Sequence, residues 1–453
     1  LKAITDYKNK RVLVLGLAKS GYAVAKVMHA LGADVTVNDQ KDLSGDPHAE
    51  ELKQMGIRVV GGGHPSELVD GDLAVLIKNP GIPYSNPLIR KAERLGIRII
   101  TEVEIACELS DASFIGVTGS NGKTTTTMLL GEMMKGSPFE PIVAGNIGTA
   151  LTSIVQTATK KNVIVAELSS FQLVGTERFH PKVAVVLNIY NHHLDYHGTL
   201  ENYAAAKARI TARQTEEDIL VYNADSERVK QFVAAKSKAQ KIPFSASRKT
   251  DGAYIDNESI YFKGEPILPC GEIGLPGEHN LENALAATAA AKTCGVPTAH
   301  IAKVLRSFTG ARHRLEYVGD VQGRAIFNDS KATNILATSK ALGAFPEKGI
   351  VLLAGGLDRG NTFERLVPYL KQAHIKAVLL FGQTQEKLLD ACQKAGIRTI
   401  KRVGNVEEAV PEAFHESAPG DVILLSPACA SWDQYPSFEV RGDMFIREVN
   451  KFR

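Results

Sequence analysis

The sequence predicts an α/β protein of three domains, and three observations carry that prediction. Short β-rich runs alternate with helix-like stretches along most of the chain, the pattern of largely parallel sheets covered by helices. Most runs end in glycine, serine or proline, which mark loops at strand ends. The length, 453 residues, exceeds what one hydrophobic core fills and gives a prior of about two to four domains.

The strand-and-loop pattern begins three times. In the first segment, residues 1–101, "RVLVLG" (11–16) is a strand entering a turn, followed by helix-like "YAVAKVMHALG"; "DVTVND" (34–39) and "LAVLIKNPG" (73–81) are further strands. In the second, residues 102–309, "SFIGVTG" runs from strand into loop, and "NVIVAELSS" (162–170) and "KVAVVLNIYN" (182–191) are buried strands. There, "DGAYIDNESIYFKGEPILP" (251–269) alternates like an antiparallel hairpin region, and "GEHNLENALAATAAAKTCG" is a strong helix. In the third, residues 310–453, "GRAIFNDSKATN", "GIVLLAGGLDRGN", "AVLLFGQT" and "DVILLSPACAS" each pass from an apolar strand into a polar loop. Ligands of open α/β sheets sit at the C-terminal ends of strands, so function is sought in these loops.

Composition excludes several classes. An apolar fraction of 44% with 23% charged residues is that of a globular domain protein. The net charge of +3 is spread along the chain, unlike the concentrated basic face of a nucleic-acid binder. The five cysteines form no C-x-x-C pair, so they read as reduced thiols of a cytosolic protein. The stretch "LKAITDYKNKRVLVLG" does not read as a signal peptide. No apolar run reaches the roughly 18–20 residues that span a bilayer. The expectation is a cytoplasmic protein with neither nucleic-acid nor membrane partners.

Residues 116–127 read "GVTGSNGKTTTT", one position off the usual phosphate loop G-x-x-x-x-G-K-[ST], because Val117 stands where the first glycine belongs. The chemistry survives the shift. Gly119 and Gly122 let backbone N–H groups approach an anion, and the following helix presents its positive end. Lys123 can reach terminal phosphates and Thr124 can ligate Mg²⁺. Threonine is a poor helix former, so the run after Lys123 is explained by first-turn hydroxyls facing a ligand.

Other candidates are weaker on their own. Glu167 ends a strand and suits a magnesium carboxylate, but reads equally well as a solvent-facing glutamate. His193 in "NHHLDYH" matches no standard zinc spacing and reads as a satisfied loop histidine. Lys207 in helical "YAAAKARI" reads as a solvated lysine. "GLAKSG" (16–21) imitates the dinucleotide fingerprint, with Asp39 at the end of the next strand, which keeps an NAD-dependent oxidoreductase in play. Against it, Ala18 replaces the middle glycine, and its methyl obstructs a pyrophosphate.

The stretch "TGSNGKTT" resembles the ATP loop of the Mur ligases, and the likeness extends over nearly the whole chain. It continues in "ELSSFQL" (167–173), "NIYNHHLDYHGTLENYAAAKARI" (188–210), "GEHNLENALAA" (277–287), "GARHRLE" (310–316), "NDSKATN" (328–334) and "LSPACASWDQYPSFEVRGD" (425–443). The resemblance implies a Rossmann-like domain for a UDP-linked substrate, a central P-loop ATPase-type domain and a Rossmann-like C-terminal domain for an amino acid. It implies MgATP-dependent amide formation in peptidoglycan precursor synthesis. D-glutamate would be added to UDP-N-acetylmuramoyl-L-alanine through an acyl phosphate by a monomer, with domain closure joining the substrates.

Residue roles implied by the resemblance are as follows. Gly119, Ser120, Asn121, Gly122, Lys123, Thr124, Thr125, Asn283, Arg314 and Asp329 bind ATP, with Arg314 stabilising the transferring phosphoryl group. His313 orients its loop. Thr124, Glu167, His193 and a carbamylated Lys207 hold two magnesium ions. The carbamate supplies an anionic oxygen where an ammonium would repel metal. Lys19, Ser20, Asp39, Gln40, Lys41, Asn79, Asn146 and His193 hold the UDP-linked substrate. Lys331 joins Lys123, Glu167, His193 and Lys207 as catalytic, and Thr333, Arg359, Ser431 and Phe438 bind D-glutamate. Arg359 in "GGLDRGN" stands where the best-known members carry lysine. Alternatives are a sister ligase adding another amino acid, which the "SPACASWDQ" region argues against, and a folate polyglutamate ligase, whose similar enzymes lack the first domain.

Overall fold

Strands buried on both faces need near-continuous apolar runs, and the runs named above become strands. The computed structural model describes residues 6–275, 278–310, 312–360 and 362–453. The chain divides into two compact units, Leu1–Phe308 and Thr309–Arg453.

The first unit carries two sheets. One is parallel: β1 (Arg11–Leu15), β2 (Asp34–Asn38), β3 (Arg58–Val60), β4 (Leu73–Lys78) and β5 (Arg98–Ile100), in the order β3-β2-β1-β4-β5. The order reverses between β1 and β4, which opens a crevice at their C-terminal ends. The second sheet comprises β6 (Ser113–Thr118), β7 (Glu140–Gly145), β8 (Asn162–Glu167), β9 (Val183–Val186), β10 (Ile219–Asn223), β11 (Gln240–Ser245), β12 (Ala253–Asp256), β13 (Ser259–Phe262) and β14 (Glu265–Pro269). Its order is β14-β13-β12-β11-β10-β9-β6-β8-β7. The expected hairpins are there, β12-β13 and β13-β14 being antiparallel, but β12 joins β11 in parallel. Strand β6 lies between β9 and β8 with Val117 opposite Glu167, so the loop after β6 emerges beside that carboxylate.

The helix Lys123–Met134 and the helix Glu278–Thr293 pack on one face of this sheet. Small buried side chains of the latter, Ala284, Ala287 and Ala291, permit close approach. The first two sheets are tied by Arg98 of β5, which donates to Glu108 at 2.7 Å, to Glu177 at 2.6 Å and to the Tyr7 hydroxyl at 2.9 Å.

The second unit is built on β15 (Glu316–Val321), β16 (Arg324–Asn328), β17 (Ile350–Gly355), β18 (Ile375–Phe381), β19 (Ile400–Arg402) and β20 (Val422–Leu425), in the order β15-β16-β20-β17-β18-β19. Only β15 runs antiparallel to its neighbour among these described strands. Strands β16, β20 and β17 are adjacent, so the loops following them converge at one edge of the unit.

Candidate active site

The loop after β6 is shaped as its glycines require. Gly122 has φ +80°, where a side chain is strained, and a Cβ there would collide with Asn283. A Cβ on Gly119 would lie 2.9 Å from that of Leu187. The loop is held from β9's end: Ser120 N–H donates to Asn188 O at 2.9 Å and Asn121 N–H to Asn188 Oδ1 at 2.8 Å. The Ser120 hydroxyl pairs with Tyr203 at 2.9 Å and accepts from Tyr190 N–H at 2.9 Å. Asn283 accepts from the Thr126 hydroxyl at 3.2 Å, which accounts for one threonine of the run. Thr125 is half-buried in the same first turn.

At the floor of this loop lies a buried polar cluster. The Thr124 hydroxyl donates to Glu167 Oε2 at 2.7 Å, and Asn146 Nδ2 donates to Oε1 at 2.8 Å. Lys123 donates to Gly119 O at 2.9 Å and Ser120 O at 2.8 Å. Lys207 is fully buried and donates to the same Gly119 O at 2.8 Å, with Nζ 4.7 Å from the Tyr203 ring centre. Burial first, and then the positive charge of Lys123, hold the Lys207 amine well below the ordinary lysine range, against the opposing pull of Glu167. Lys207 is therefore not the solvated lysine that its helix alone predicts.

His193 begins the helix Leu194–His197 with φ +55°. Its ring meets the edge of Phe171 at 4.9 Å and lies 6.3 Å from that of Tyr203, beside the Lys207 cluster. Asn146, beyond β7 of the second sheet, meets Glu167.

The crevice of the first sheet is a cavity of about 560 Å³, lined among others by Gly16, Ala18, Asp39, Gln40, Lys41 and Asn79. The size suits a nucleotide-sized ligand. Asp39 accepts from Leu17 N–H at 2.7 Å and Lys41 N–H at 2.9 Å, and so binds the loops after β1 and β2 together. Asn79 donates to the Ser20 hydroxyl at 3.2 Å. Lys19 turns instead to the carbonyl of Gly148.

In the second unit, the three converging loops carry the remaining candidates. Asp329, after β16, accepts from Ser426 Oγ at 2.8 Å and Leu315 N–H at 3.0 Å; burial pushes its pKa up to about 7, against the pull of these two hydrogen bonds and then of the exposed Arg314. Buried His313 pairs with Asn328 at 2.9 Å, and its carbonyl accepts from Lys331 N–H at 2.9 Å, so it orders the Asp329–Lys331 turn. Lys331 Nζ lies 5.3 Å from the ring centre of Phe438, and half-buried Thr333 N–H closes a turn onto Lys331 O at 2.8 Å. Arg359 follows β17 and Ser431 follows β20. Among the described residues the buried Ser431 hydroxyl has no hydrogen-bond partner, a costly state.

The profile of the Mur ligase MurD-like N-terminal domain matches residues 10–101, that of the Mur ligase middle domain residues 117–291, and that of the Mur ligase glutamate ligase domain residues 313–429. The UDP-N-acetylmuramoylalanine–D-glutamate ligase of Geobacillus sp. (strain WCH70) is 55% identical over the full length of both chains. The chain belongs to the Mur ligase family. Its counterpart in Bacillus mycoides (strain KBAB4) is 54% identical, again over both full lengths. Solved Mur ligases share the fold at lower identity. UDP-N-acetylmuramate-alanine ligase MurC from Thermotoga maritima has a TM-score of 0.55 at 19% identity, covering 98% of this chain and all of that one. MurF from Acinetobacter baumannii has a TM-score of 0.55 at 16% identity, covering 98% and 92%.

For a Mur ligase, the donor set at Thr124 and Glu167 fits magnesium: two hard oxygen donors, buried and side by side. Lys207 as an amine offers no such oxygen. Three further residues escaped the sequence reading. Lys78, at the end of β4, is buried; it donates to Pro80 O at 3.0 Å and the Tyr196 hydroxyl at 3.1 Å, and burial pushes its pKa down to about 7. His64 lines the cavity, linked to Asn38 at 2.7 Å and Asn86 at 3.1 Å. A histidine directly after "GGG" at a strand end was the available signal.

The third is Arg441, fully buried in the helix Phe438–Val449. It donates to Ser330 O at 2.8 Å, Cys429 O at 3.0 Å and Gly355 O at 3.4 Å, one carbonyl from each converging loop. Arg441→Met orphans these carbonyls and is expected to lower stability by about 3 kcal/mol or more. Urea unfolding of the full chain followed by circular dichroism checks this; an unchanged midpoint contradicts it.

Proposed function

We propose that the chain is an ATP-dependent ligase that joins D-glutamate to UDP-N-acetylmuramoyl-L-alanine, in the cytoplasm and as a monomer, during peptidoglycan precursor synthesis. The observation that carries the reaction class is the buried cluster of Thr124, Glu167, Lys123 and Lys207 under a glycine loop at the mouth of a parallel sheet. The names of relatives 54–55% identical over the whole chain support the substrates. The domain bounds read from sequence, 1–101, 102–309 and 310–453, are kept as part of the proposal.

The carboxylate of the UDP-linked substrate attacks the γ-phosphate of ATP, giving an acyl phosphate and ADP. The amine of D-glutamate then attacks the acyl carbon, and phosphate leaves. Lys123 offsets negative charge as the phosphoryl group transfers, with backbone N–H groups of 119–125 cradling the other phosphates. Thr124 and Glu167 would hold magnesium, with His193 and a carbamylated Lys207 proposed for a second ion. Magnesium supplies charge neutralisation at the transferring group. Asn283, Arg314 and Asp329 are the proposed further contacts to ATP. Lys19, Ser20, Asp39, Gln40, Lys41 and Asn79 hold the UDP part, and Asn146 with His193 faces the rest of that substrate. Lys331, Thr333, Arg359, Ser431 and Phe438 receive D-glutamate.

The test is phosphate release with the UDP-linked substrate and a panel of amino acids. Release is expected with D-glutamate and little with L-glutamate, L-alanine or a diamino acid. Equal rates for the two glutamate enantiomers, or a preference for another amino acid, count against this reading.

A further inference from the structure

We infer that Trp432 is a positioning residue for the amino-acid site, because its indole holds the Arg359 guanidinium in place as the receptor for a carboxylate. The inference rests on the D-glutamate reading and deepens it.

The Arg359 guanidinium carbon lies 4.7 Å from the centre of the Trp432 ring. The indole is 65% exposed, more than the other exposed large apolar side chains of the described residues. Folding gains nothing from presenting so large an apolar ring to water beside an arginine. Among the described residues Arg359 makes no hydrogen bond or ion pair, so this stack is its one contact of that kind. The backbone around both side chains is fixed. Leu357 N–H donates to Ala430 O at 2.9 Å, joining the two loops directly. Asp358 caps Gly360 N–H at 2.8 Å and accepts from Lys387 at 2.9 Å. Gln383 N–H donates to Asp433 at 3.1 Å, anchoring the residue after the tryptophan. Two long side chains thus protrude from hydrogen-bonded loops and touch.

The neighbouring Ser431 is one of the proposed D-glutamate contacts. The buried hydroxyl of Ser431, adjacent to Trp432 in the chain, has no partner among the described residues. A hydroxyl and a guanidinium from the same edge of the sheet suit one carboxylate-bearing ligand.

The chemistry explains why arginine rather than lysine serves at this loop. A guanidinium is weakly hydrated on its faces and carries its N–H donors in its plane. A guanidinium held over an indole at this distance can keep its in-plane donors for a bidentate carboxylate. An ammonium on the same ring has no such division between face and edge. The indole therefore limits the rotamers of Arg359 before the ligand arrives, which reduces the ordering cost of binding.

The experiment uses the full chain in the phosphate-release assay, comparing wild type, Trp432→Leu, Trp432→Phe, Arg359→Lys and the Trp432→Leu/Arg359→Lys double variant. Trp432→Leu is expected to raise the KM for D-glutamate about two- to fivefold, the range of an exposed cation–π contact, with the KM for ATP unmoved. Trp432→Phe should recover most of that loss. In the Arg359→Lys background, Trp432→Leu should have little further effect. An unchanged KM in Trp432→Leu, or an equal effect in both backgrounds, overturns the inference.

Trp432 is the one tryptophan of the chain, so emission reports on the pair without catalysis. Arg359→Ala should change the emission of the unliganded protein; an identical spectrum overturns the stack. If wild type releases phosphate with another amino acid and not with D-glutamate, the substrate reading fails. The same double-variant comparison with that amino acid then decides on the pair.

Discussion

Lys123→Ala is expected to reduce ATP-dependent phosphate release at least about a hundredfold, the loss seen when a preorganised donor to developing charge is removed. The fold should be retained. Lys123 is half-buried, and its acceptor Gly119 O keeps a second donor in Lys207. The variant also removes one of two amines that share a single carbonyl oxygen. Without the Lys123 charge, the Lys207 amine is expected to return toward the ordinary lysine range, since Lys123 is the second cause of its depression after burial. Loss of activity in Lys123→Ala therefore combines a missing phosphate contact with a more cationic Lys207, and the two single variants should not be additive. Phosphate release together with circular dichroism tests this. Wild-type turnover in a folded Lys123→Ala protein would exclude the proposed role.

What was legible in the sequence was set by how local its cause is. The strands buried on both faces, such as β1, β8 and β17, announce themselves as continuous apolar runs. The three-residue edge strands β3, β5 and β19 are only partly buried and carry no such signal. Strand β15, with a charged residue at its start and Asp320 near its end, forms only because β16 offers it an antiparallel partner. In the site, the glycine loop was readable because its residues are consecutive. The pairing of Glu167 with Thr124 depends on the register of β6 against β8, which no local pattern states. Asn146 meets Glu167 because β7 lies beside β8 with Gly145 opposite Glu167, a register that no local pattern states either. Lys78 reads as the polar end of an apolar strand. Its burial comes from Tyr84 and from Tyr196, which lies more than a hundred residues away. Arg441 reads as one charge on an amphipathic helix, and only the convergence of three loops reveals what it holds.

Lys207→Ala is expected to lose most ligase activity and to regain part of it with a small carboxylate such as acetate. The reason is the state of the amine. An unperturbed lysine, with a pKa of about 10.4, stays cationic at neutral pH and would oppose magnesium beside Glu167. Here burial and Lys123 both disfavour the ammonium, so the neutral amine is far more populated than on a surface lysine. A neutral amine can attack CO₂: the N–C bond forms as one C=O π bond opens, a proton leaves to solvent, and the product is a carbamate with one negative charge shared by two oxygens. That product reverses the sign of the side chain. It turns a group that repels a cation into an oxygen donor of the kind magnesium prefers, and its charge is offset by the same Lys123 that depressed the amine. The pH dependence follows in direction. Lowering pH protonates the amine and withdraws it from CO₂, so at limiting bicarbonate the wild-type rate should fall with pH more steeply than that of acetate-rescued Lys207→Ala. Nuclear magnetic resonance of the protein equilibrated with ¹³C-bicarbonate should show a carbamate signal that is missing in Lys207→Ala. A Lys207→Ala enzyme with normal turnover at limiting magnesium, or a fully liganded active enzyme with a bare ε-amine, would show that the lysine acts only by packing under the Gly119 carbonyl.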